Sequence, residues 1–271
     1  MRLAFALLVL VAFSFASGAR AAPRSVYLED LTWTELRDAL KAGVTTVIIP
    51  VGGTEQSGPH LALGKHNARV KVLAGKTASE LGDTLVAPVL AYVPEGNISP
   101  PSEHMRFPGT ISIPDSAFKS TLEAAARSLR QAGFTHVVLL GDHGGYQQSL
   151  KEVAAQLNRD WAGTPVRAHF IADYYRATEA AYVQALRAKG LTDAQIGSHA
   201  GTADTSLQMA IDPAMVRPDR LDGAQSSATG TSNNGTVGDP RPSTAALGQL
   251  GVDLIVAQTV AAIRKARTEK K

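Results

Sequence analysis

The first notable feature of this 271-residue chain is an absence, because it contains no cysteine. Disulfides, thiol nucleophiles and thiolate metal ligands are therefore all excluded. Any metal ion would have to be held by histidine and carboxylate side chains, a ligand set that suits zinc, iron(II) or manganese. The absence also suits an exported protein that must fold without oxidation chemistry.

The chain also lacks the patterns of nucleic-acid and membrane binding. Its 27 Lys and Arg residues face 24 Asp and Glu residues, and only 6% of the chain is aromatic. No stripe of Lys and Arg with interleaved aromatic residues occurs, so nucleic acid is not an expected partner. Beyond the N-terminus no apolar run approaches the roughly 20 residues that span a bilayer, so no membrane partner is expected either.

The N-terminus itself has the pattern of a secretory signal peptide. A short basic start precedes the apolar stretch Leu3 to Phe15, and Ala19 to Ala21 form an A-x-A cleavage site. We predict cleavage after Ala21, which makes residues 1–21 a leader and residues 22–271 a single domain in the bacterial periplasm or beyond it. An uncleaved N-terminal anchor is the alternative interpretation.

Apolar β-type runs alternate with helical patterns along the rest of the chain. Strands are predicted over Thr45 to Val51, Thr84 to Tyr92, His136 to Leu140 and Val166 to Ile171. The last of these is followed by a predicted helix from Tyr174 to Lys189. Strands separated by helices indicate βαβ units, and hence an α/β fold with a mostly parallel central sheet.

Two loops that follow β-type runs carry acidic and histidine side chains. Glu55 and His60 come after the first run, and Asp142 and His143 come directly after the His136 to Leu140 run. In open α/β sheets, loops at the carboxyl ends of the strands hold the chemistry. The pattern therefore predicts a metal or acid–base site assembled from distant segments of the chain.

A third segment, Ser198 to Ser206, adds His199 and Asp204 at the entry to a short predicted helix. A single histidine is more often a hydrogen-bonded structural residue than a ligand, and Asp204 alone could be a helix cap. Three segments with the same ligand chemistry favour a site over these structural alternatives.

Five segments of the chain form an ordered set of motifs: Thr54 to Ala62, Phe107 to Ile111, Gly141 to Tyr146, His199 to Ser206 and Gly238 to Pro240. In this order they resemble the motifs of the creatininase (creatinine amidohydrolase) family. The family's versions are a T-E-Q-H-G-P-H-L-P loop, an F-P-G-T-I loop, an N-G-H-G-G-N segment, an H-A-G-x-x-E-T-S segment and a late G-D-P element. With the flanking helices, the resemblance runs from about Trp33 to about Ala245.

The resemblance implies a three-layer α/β/α sandwich, assembly into a homo-oligomer (usually a hexamer), and hydrolysis of the C–N bond of a small amide substrate. Family members typically hold two divalent metal ions. By motif, Glu55 and His143 correspond to metal ligands and Asp204 replaces a glutamate ligand. His199 corresponds to a proton-transfer residue, and we predict Asp142 as a second catalytic residue.

This chain departs from the family at the metal ligands. Ser57 stands where a histidine ligand is usual, and His66 stands where a bridging aspartate is usual. A carboxylate can bridge two cations, whereas one neutral imidazole nitrogen binds one. His66 is nevertheless a good ligand itself, so Glu55, His66, His143 and Asp204 are predicted to hold one divalent metal ion per chain, with zinc, iron(II) or manganese as the candidates.

Two hypotheses about function follow. In the first, the chain is an exported amidohydrolase-like enzyme that uses one metal ion to hydrolyse a small, possibly cyclic, amide. In the second, it is a catalytically degenerate relative that binds a small molecule or serves an assembly role. The retained Glu55, His143 and His199 favour the first hypothesis.

Overall fold

The computed structural model of the protein describes residues 23–225 and 233–269. The predicted leader and its cleavage site lie outside the described residues. The sheet consists of β1 (Thr46–Val51), β2 (Thr84–Val86), β3 (His136–Gly141) and β4 (Arg167–Phe170). All three strand pairings are parallel, and the spatial order is β2-β1-β3-β4.

Helices connect and cover these strands. In chain order they are α1 (Trp33–Lys41), α2 (Lys65–Leu81), α3 (Asp115–Ala132), α4 (Gln147–Asp160), α5 (Ala172–Arg176), α6 (Val183–Ala188), α7 (Asp193–Ile196), α8 (Thr202–Ile211) and α9 (Ala245–Thr268). The shorter 3-10 helices include Glu103–Arg106 and Gly144–Tyr146, and a π-helix spans Ala177–Tyr182.

The sheet is buried on both faces, as its continuous apolar runs require. Successive strand residues point to opposite faces, so Val47 and Ile49 pack into one apolar core with α1, α3 and α4, while Ile48 packs into another with α2, α8 and α9. Helices on both faces of a parallel sheet make a three-layer α/β/α sandwich. The predicted fold class is confirmed.

The last helix, α9, is long and apolar enough to cross a membrane if only its length and composition are considered. Those two criteria are weak evidence, because the core helix of a globular domain also meets them. Here α9 packs against α8, α2 and the π-helix, and its Val252, Ile255 and Val260 are buried in the second core. These contacts assign α9 to the sandwich.

Two predicted elements differ from the structure. The strand predicted from Thr84 to Tyr92 pairs regularly only over β2, because Pro88 has no N–H to donate to a ladder. The single helix predicted from Tyr174 to Lys189 is divided into α5, the π-helix and α6. Such π-type turns often accompany functional sites, and this one places Glu179 on the wall of a cavity of about 780 Å³.

Candidate metal centre

The site is built where β1 and β3 end side by side. Val51 and Gly141 are paired in register, so the segments that follow them leave the sheet at the same edge. The buried Tyr146 hydroxyl fastens these segments, since it lies 2.8 Å from the Val51 carbonyl oxygen and accepts a hydrogen bond from the His143 N–H at 3.0 Å. Glu55 and His143 are thereby held on neighbouring strand ends.

Four side chains from three segments converge at this edge, and we call them the histidine–glutamate cluster: Glu55, Glu95, His104 and His143. One potential ligand atom from each lies within 4.8 Å of all the others. The Oε2 atom of Glu55 is 3.2 Å from Nε2 of His104 and 3.3 Å from Nε2 of His143. The Oε2 atom of Glu95 lies 3.6 Å from Nδ1 of His143.

The two carboxylates of this cluster are buried without the donors that buried carboxylates need. Among the described residues, Glu55 Oε2 and both carboxylate oxygens of Glu95 have no hydrogen-bond partner. Burial, and then the neighbouring Glu55 charge, raise the pKa of Glu95 to about 9. Glu55 is held ionised instead: burial alone would raise its pKa, but His66 and Lys65 hold the pKa well below the usual value. The cluster therefore holds three buried carboxyl oxygens whose hydrogen-bonding capacity the described side chains do not meet.

A glycine allows Glu95 to approach the Glu55 loop. Gly53 has a φ of +155°, and a Cβ at this position would lie 2.5 Å from Glu95 Oε1. The Glu95 backbone is held in turn by its N–H, which donates to Ser112 Oγ at 3.0 Å. A side chain at position 53 would therefore displace the Glu95 carboxylate from its present position.

The histidines of the cluster are neutral near pH 7, as metal ligands must be. Burial lowers the pKa of His143 to about 4, and the opposing effect of the Glu55 charge is smaller. Burial likewise lowers the pKa of His104. The Gln56 amide sets the ring orientation of His104, with Nε2 of Gln56 lying 3.0 Å from Nδ1 of the ring.

Beside this cluster lies a second group of charged side chains, which we call the ion-pair network: Lys65, His66, Arg69, Asp142 and Asp204. The three basic residues belong to the first two turns of α2, and the two acids follow β3 and begin α8. Arg69 joins the acids, since its Nε donates to Asp142 Oδ2 at 2.7 Å and its Nη1 donates to Asp204 Oδ1 at 2.6 Å.

Every carboxylate oxygen of the network has a partner. Asp142 accepts from the Tyr174 hydroxyl at 2.5 Å through Oδ1, and its Oδ2 lies 2.6 Å from Nδ1 of His66. Asp204 Oδ2 accepts from Lys65 Nζ at 3.1 Å and from the Ala200 N–H at 2.8 Å. Lys65 and Arg69 hold the pKa of Asp204 well below its usual value, although burial acts in the opposite direction.

His199 faces both groups from the segment before α8. Its Nε2 lies 3.0 Å from the Gln56 carbonyl oxygen and 3.2 Å from the Gln56 side-chain Nε2, so one ring nitrogen faces both an acceptor and a donor. Its Nδ1 lies 3.8 Å from Glu55 Oε1. Burial lowers the pKa of His199 to about 3. A neutral imidazole keeps one unprotonated nitrogen, which is what proton acceptance requires.

The structure divides the predicted ligand set. Glu55 and His143 lie together in the histidine–glutamate cluster, whereas His66 and Asp204 lie in the ion-pair network. Both ring nitrogens of His66 face carboxylates, with Nε2 lying 2.8 Å from Glu55 Oε1. The four-residue ligand set and the catalytic roles of Asp142 and His199 stay predictions, and the contacts favour a different division of roles.

Sequence reasoning did not select Glu95, His104, Lys65 or Arg69. Glu95 and His104 lie in the loop between β2 and α3. The unusual length of that loop is a signal that could have marked it as functional. Lys65 and Arg69 are four residues apart on one face of α2, and this pattern is equally typical of a solvated helix surface. The burial of both side chains, which are 1% and 5% exposed, is decided by tertiary packing.

The histidine–glutamate cluster fits a divalent metal ion. It offers two neutral imidazoles and two carboxylates, and three of its buried oxygens have no donor among the described residues. Nitrogen and oxygen ligands of this kind suit zinc, manganese or iron(II). A cavity of about 780 Å³ opens beside the cluster, and its lining includes His104, His143 and His199. That volume lies within the range of small-molecule sites.

The fold and site together define an α/β sandwich protein with a metal-type ligand cluster at the ends of parallel strands. The sequence profile of the family described as "Creatininase: Creatinine amidohydrolase" matches residues 29–263. The chain belongs to the creatininase family, and the resemblance predicted from its five motifs is confirmed.

Relatives of known name are hydrolases. The chain is 29% identical to a mycofactocin precursor peptide peptidase from Mycolicibacterium smegmatis over 228 residues, which cover 78% of this chain and 81% of the relative. It is 28% identical to a creatinine amidohydrolase from Pseudomonas putida, with 73% and 76% of the two chains covered. These names support the predicted enzyme class.

The fold comparison agrees. A solved structure described as "Creatininase Mn" superposes with a TM-score of 0.75 at 24% identity and covers 91% of this chain and 100% of its own. At this identity the superposition establishes the shared fold, and the site residues of this chain are argued from its own geometry.

Proposed function

We propose that this protein is an exported hydrolase that cleaves an amide C–N bond with the help of one divalent metal ion. The observation that carries the proposal is the set of buried oxygens of Glu55 and Glu95 that lack donors and face neutral histidines. A protein has no structural reason to bury two facing carboxylates, whereas a cation between them would offset the cost. Membership in a family with hydrolase relatives supports the same conclusion.

In this proposal Glu55, Glu95, His104 and His143 hold the ion. When bound, a divalent ion supplies Lewis acidity, which polarises a substrate carbonyl and makes water nucleophilic near neutral pH. His199 accepts and returns a proton, and contacts with the Gln56 carbonyl and side-chain amide hold its ring in place. Asp142 acts as a positioning residue, because its contacts go to His66, Arg69 and Tyr174.

Metal content measured by plasma mass spectrometry tests the proposal. After separate loading with zinc, manganese and iron(II), we expect about one equivalent per chain. His143→Ala should lower it to roughly a tenth of an equivalent or less, because it removes a central ligand. His136→Ala is the matched control, since His136 begins the same strand and lies outside the histidine–glutamate cluster. No bound metal under any loading would favour the alternative of a catalytically degenerate relative.

Proton transfer by His199 is tested separately. His199→Gln should keep the metal content and lower turnover of a responsive substrate by about 100-fold or more. The substrate is found by screening linear amides, cyclic amides and short peptides, because the names of the relatives cover both small amides and peptides. An unchanged turnover in the His199→Gln variant would remove His199 from the mechanism.

Export and assembly are part of the proposal. The leader pattern supports export, and the intact mass of the protein expressed with residues 1–271 should correspond to a chain that begins at Ala22. A mass that retains Met1 would reject cleavage.

The resemblance supports a homo-oligomer, with a hexamer expected, and light scattering after size exclusion measures the mass of the assembly directly.

A further inference from the structure

We infer that Lys65 and Arg69 are built-in cations that limit this pocket to one divalent metal ion. The inference rests on the proposed function, because it assumes that the histidine–glutamate cluster binds the ion. It adds a role for two residues that touch no proposed metal ligand except Glu55. Its basis is the way in which positive charge is already distributed within the pocket.

The first argument is the number of buried charges. Glu55, Glu95, Asp142 and Asp204 are four acids that line or adjoin one cavity, and their side chains are at most 19% exposed. Lys65 and Arg69 already supply two positive charges to these acids. A second divalent ion would therefore find fewer uncompensated carboxylates than the first.

The second argument is the position of the lysine ammonium. Nζ of Lys65 is 3.1 Å from Asp204 Oδ2 and 3.6 Å from Glu55 Oε1, and the side chain is 1% exposed. It lies between one acid of each group, where a cation bridging the two would have to sit. Arg69 contributes in the same way between Asp142 and Asp204.

The third argument is the cost of placing these residues on α2. Lys65 is the first residue of the helix, whose first turn holds no acid, and its N-terminus carries the positive end of the helix dipole. A buried lysine and a buried arginine at this end are destabilised both by the helix dipole and by the loss of their hydration. The surrounding carboxylates of Glu55, Asp142 and Asp204 are the compensation that the structure shows.

The network is therefore electrostatically complete, whereas the cluster is not. Both oxygens of Asp142 and both of Asp204 already accept hydrogen bonds, so neither acid offers a ligand atom without losing a hydrogen bond that it already accepts. Lys65 and Arg69 are positioning residues in this scheme, because they act through the acids they hold.

Metal stoichiometry at saturating zinc is the test, measured by native mass spectrometry and by plasma mass spectrometry. The wild-type protein should bind about one equivalent. Lys65→Met removes the ammonium but keeps a side chain of similar length. This variant should bind about two zinc ions per chain, because a second ion can bind between Glu55 and Asp204. Lys76→Met is the control, since Lys76 is exposed on the same helix, and it should stay near one.

A double variant separates charge from shape. Lys65→Met combined with Asp204→Asn removes both the cation and the acid that it neutralises, so the stoichiometry should return to about one. Lys65→Met that stays at one equivalent while it remains folded would overturn the inference.

The wild-type measurement can overturn the inference even where the Lys65→Met variant does not fold. Two equivalents in the wild-type protein would overturn the inference and leave the proposed metal dependence intact. No equivalent would instead overturn the proposed function. The two failures are therefore distinguishable in a single titration.

Discussion

Two halves of one pocket use the same kinds of side chain and reach opposite electrostatic conditions. In the ion-pair network every carboxylate oxygen accepts a hydrogen bond, and Lys65 and Arg69 supply the positive charge. In the histidine–glutamate cluster the oxygens of Glu95 and one oxygen of Glu55 have no donor among residues 23–225 and 233–269. Burial alone therefore does not distinguish a structural site from a reactive one.

The difference shows which half holds the pocket together and which half is prepared for a ligand. A buried and fully paired network resists change, because removal of one partner leaves the other charge uncompensated. A buried but unpaired cluster is a place where a ligand from solution can contribute binding energy. Substitutions in the two halves should therefore have different consequences, and the predictions below begin with the largest expected effect.

Arg69→Met should have the largest effect on stability. It leaves Asp142 and Asp204 without the guanidinium that joins them, and we expect the free energy of unfolding to fall by about 3–5 kcal/mol. Urea unfolding of the metal-free protein measures it. Arg127→Met is the matched control, because Arg127 is 45% exposed in its ion pairs and should cost less than about 1 kcal/mol. Equal losses in the two variants would contradict a structural role for the network.

As the pH falls, the buried histidines should reduce the stability of the protein before the acids of the ion-pair network do. Burial is the largest cause that lowers the pKa of His60 and His143 to about 4 and of His199 to about 3, against an ordinary value of 6.5. Below pH 6.5 the unfolded chain therefore binds protons that the folded chain does not, so stability falls as the pH falls towards about 4. Asp204, whose pKa is lowered well below its ordinary value of 3.8, adds its loss only at still lower pH.

The expected loss of unfolding free energy in the metal-free protein is at least about 2 kcal/mol between pH 7 and pH 5. Urea unfolding at each pH measures the profile, and His199→Gln should flatten it because one of the three histidines is gone. A profile that is level down to pH 4 would mean that these rings bind protons in the folded state.

Glu95→Gln should act in opposite directions on stability and metal binding. The pKa of Glu95 is raised to about 9, so its contribution to stability is present below about pH 4.5 and is lost as the pH rises through about 9. Glutamine does not ionise, so the variant keeps its stability as the pH rises. The metal-free variant should therefore be more stable than the wild-type protein by about 1–2 kcal/mol at pH 8. Its metal affinity should fall at least about tenfold.

Unfolding curves and zinc titrations of the same preparation measure both effects. Glu152→Gln is the control, because Glu152 is an exposed glutamate that pairs with Lys119, and both quantities should stay near their wild-type values. A Glu95→Gln variant that is less stable without metal would show that Glu95 has a structural role instead.

Ser57→Ala should have the smallest effect. The Ser57 hydroxyl is buried and has no hydrogen-bond partner among the described residues, so its removal should change stability by less than about 1 kcal/mol. Ser206→Ala is the matched comparison, because the equally buried Ser206 hydroxyl accepts from the Thr244 N–H at 3.3 Å. A larger loss at position 57 than at position 206 would reveal a partner for Ser57 in solution.

The fold could be predicted to a large extent from the sequence, because buried parallel strands leave continuous apolar runs such as Val47 to Val51. The runs also place Glu55 and His143 at strand ends, and adjacent strands bring strand ends together. The prediction was wrong for the length of β2, because Pro88 has no N–H to donate and regular pairing ends before it despite its apolar neighbours. The helix predicted from Tyr174 is present, but its middle residues Ala177–Tyr182 form a π-helix, which no proline or glycine marks.

The site was predicted less completely. Glu95 and His104 reach the cluster through a long irregular loop whose path depends on contacts such as Glu95 N–H to Ser112 Oγ. Proximity of this kind has no sequence period. His66 and Asp204 do lie in the pocket, but their partners, Lys65 and Arg69, determine which role each can take.

By itself, the sequence determined the absence of thiol chemistry, the parallel α/β architecture, the family, and the two strand ends that carry Glu55 and His143. These follow from composition, from apolar periodicity and from ordered motifs, all of which are local along the chain. Only the tertiary structure decided which buried acids are neutralised by Lys65 and Arg69 and which lack a partner. That outcome depends on distances between side chains from separate segments, and electrostatic energies in a buried pocket depend on those distances.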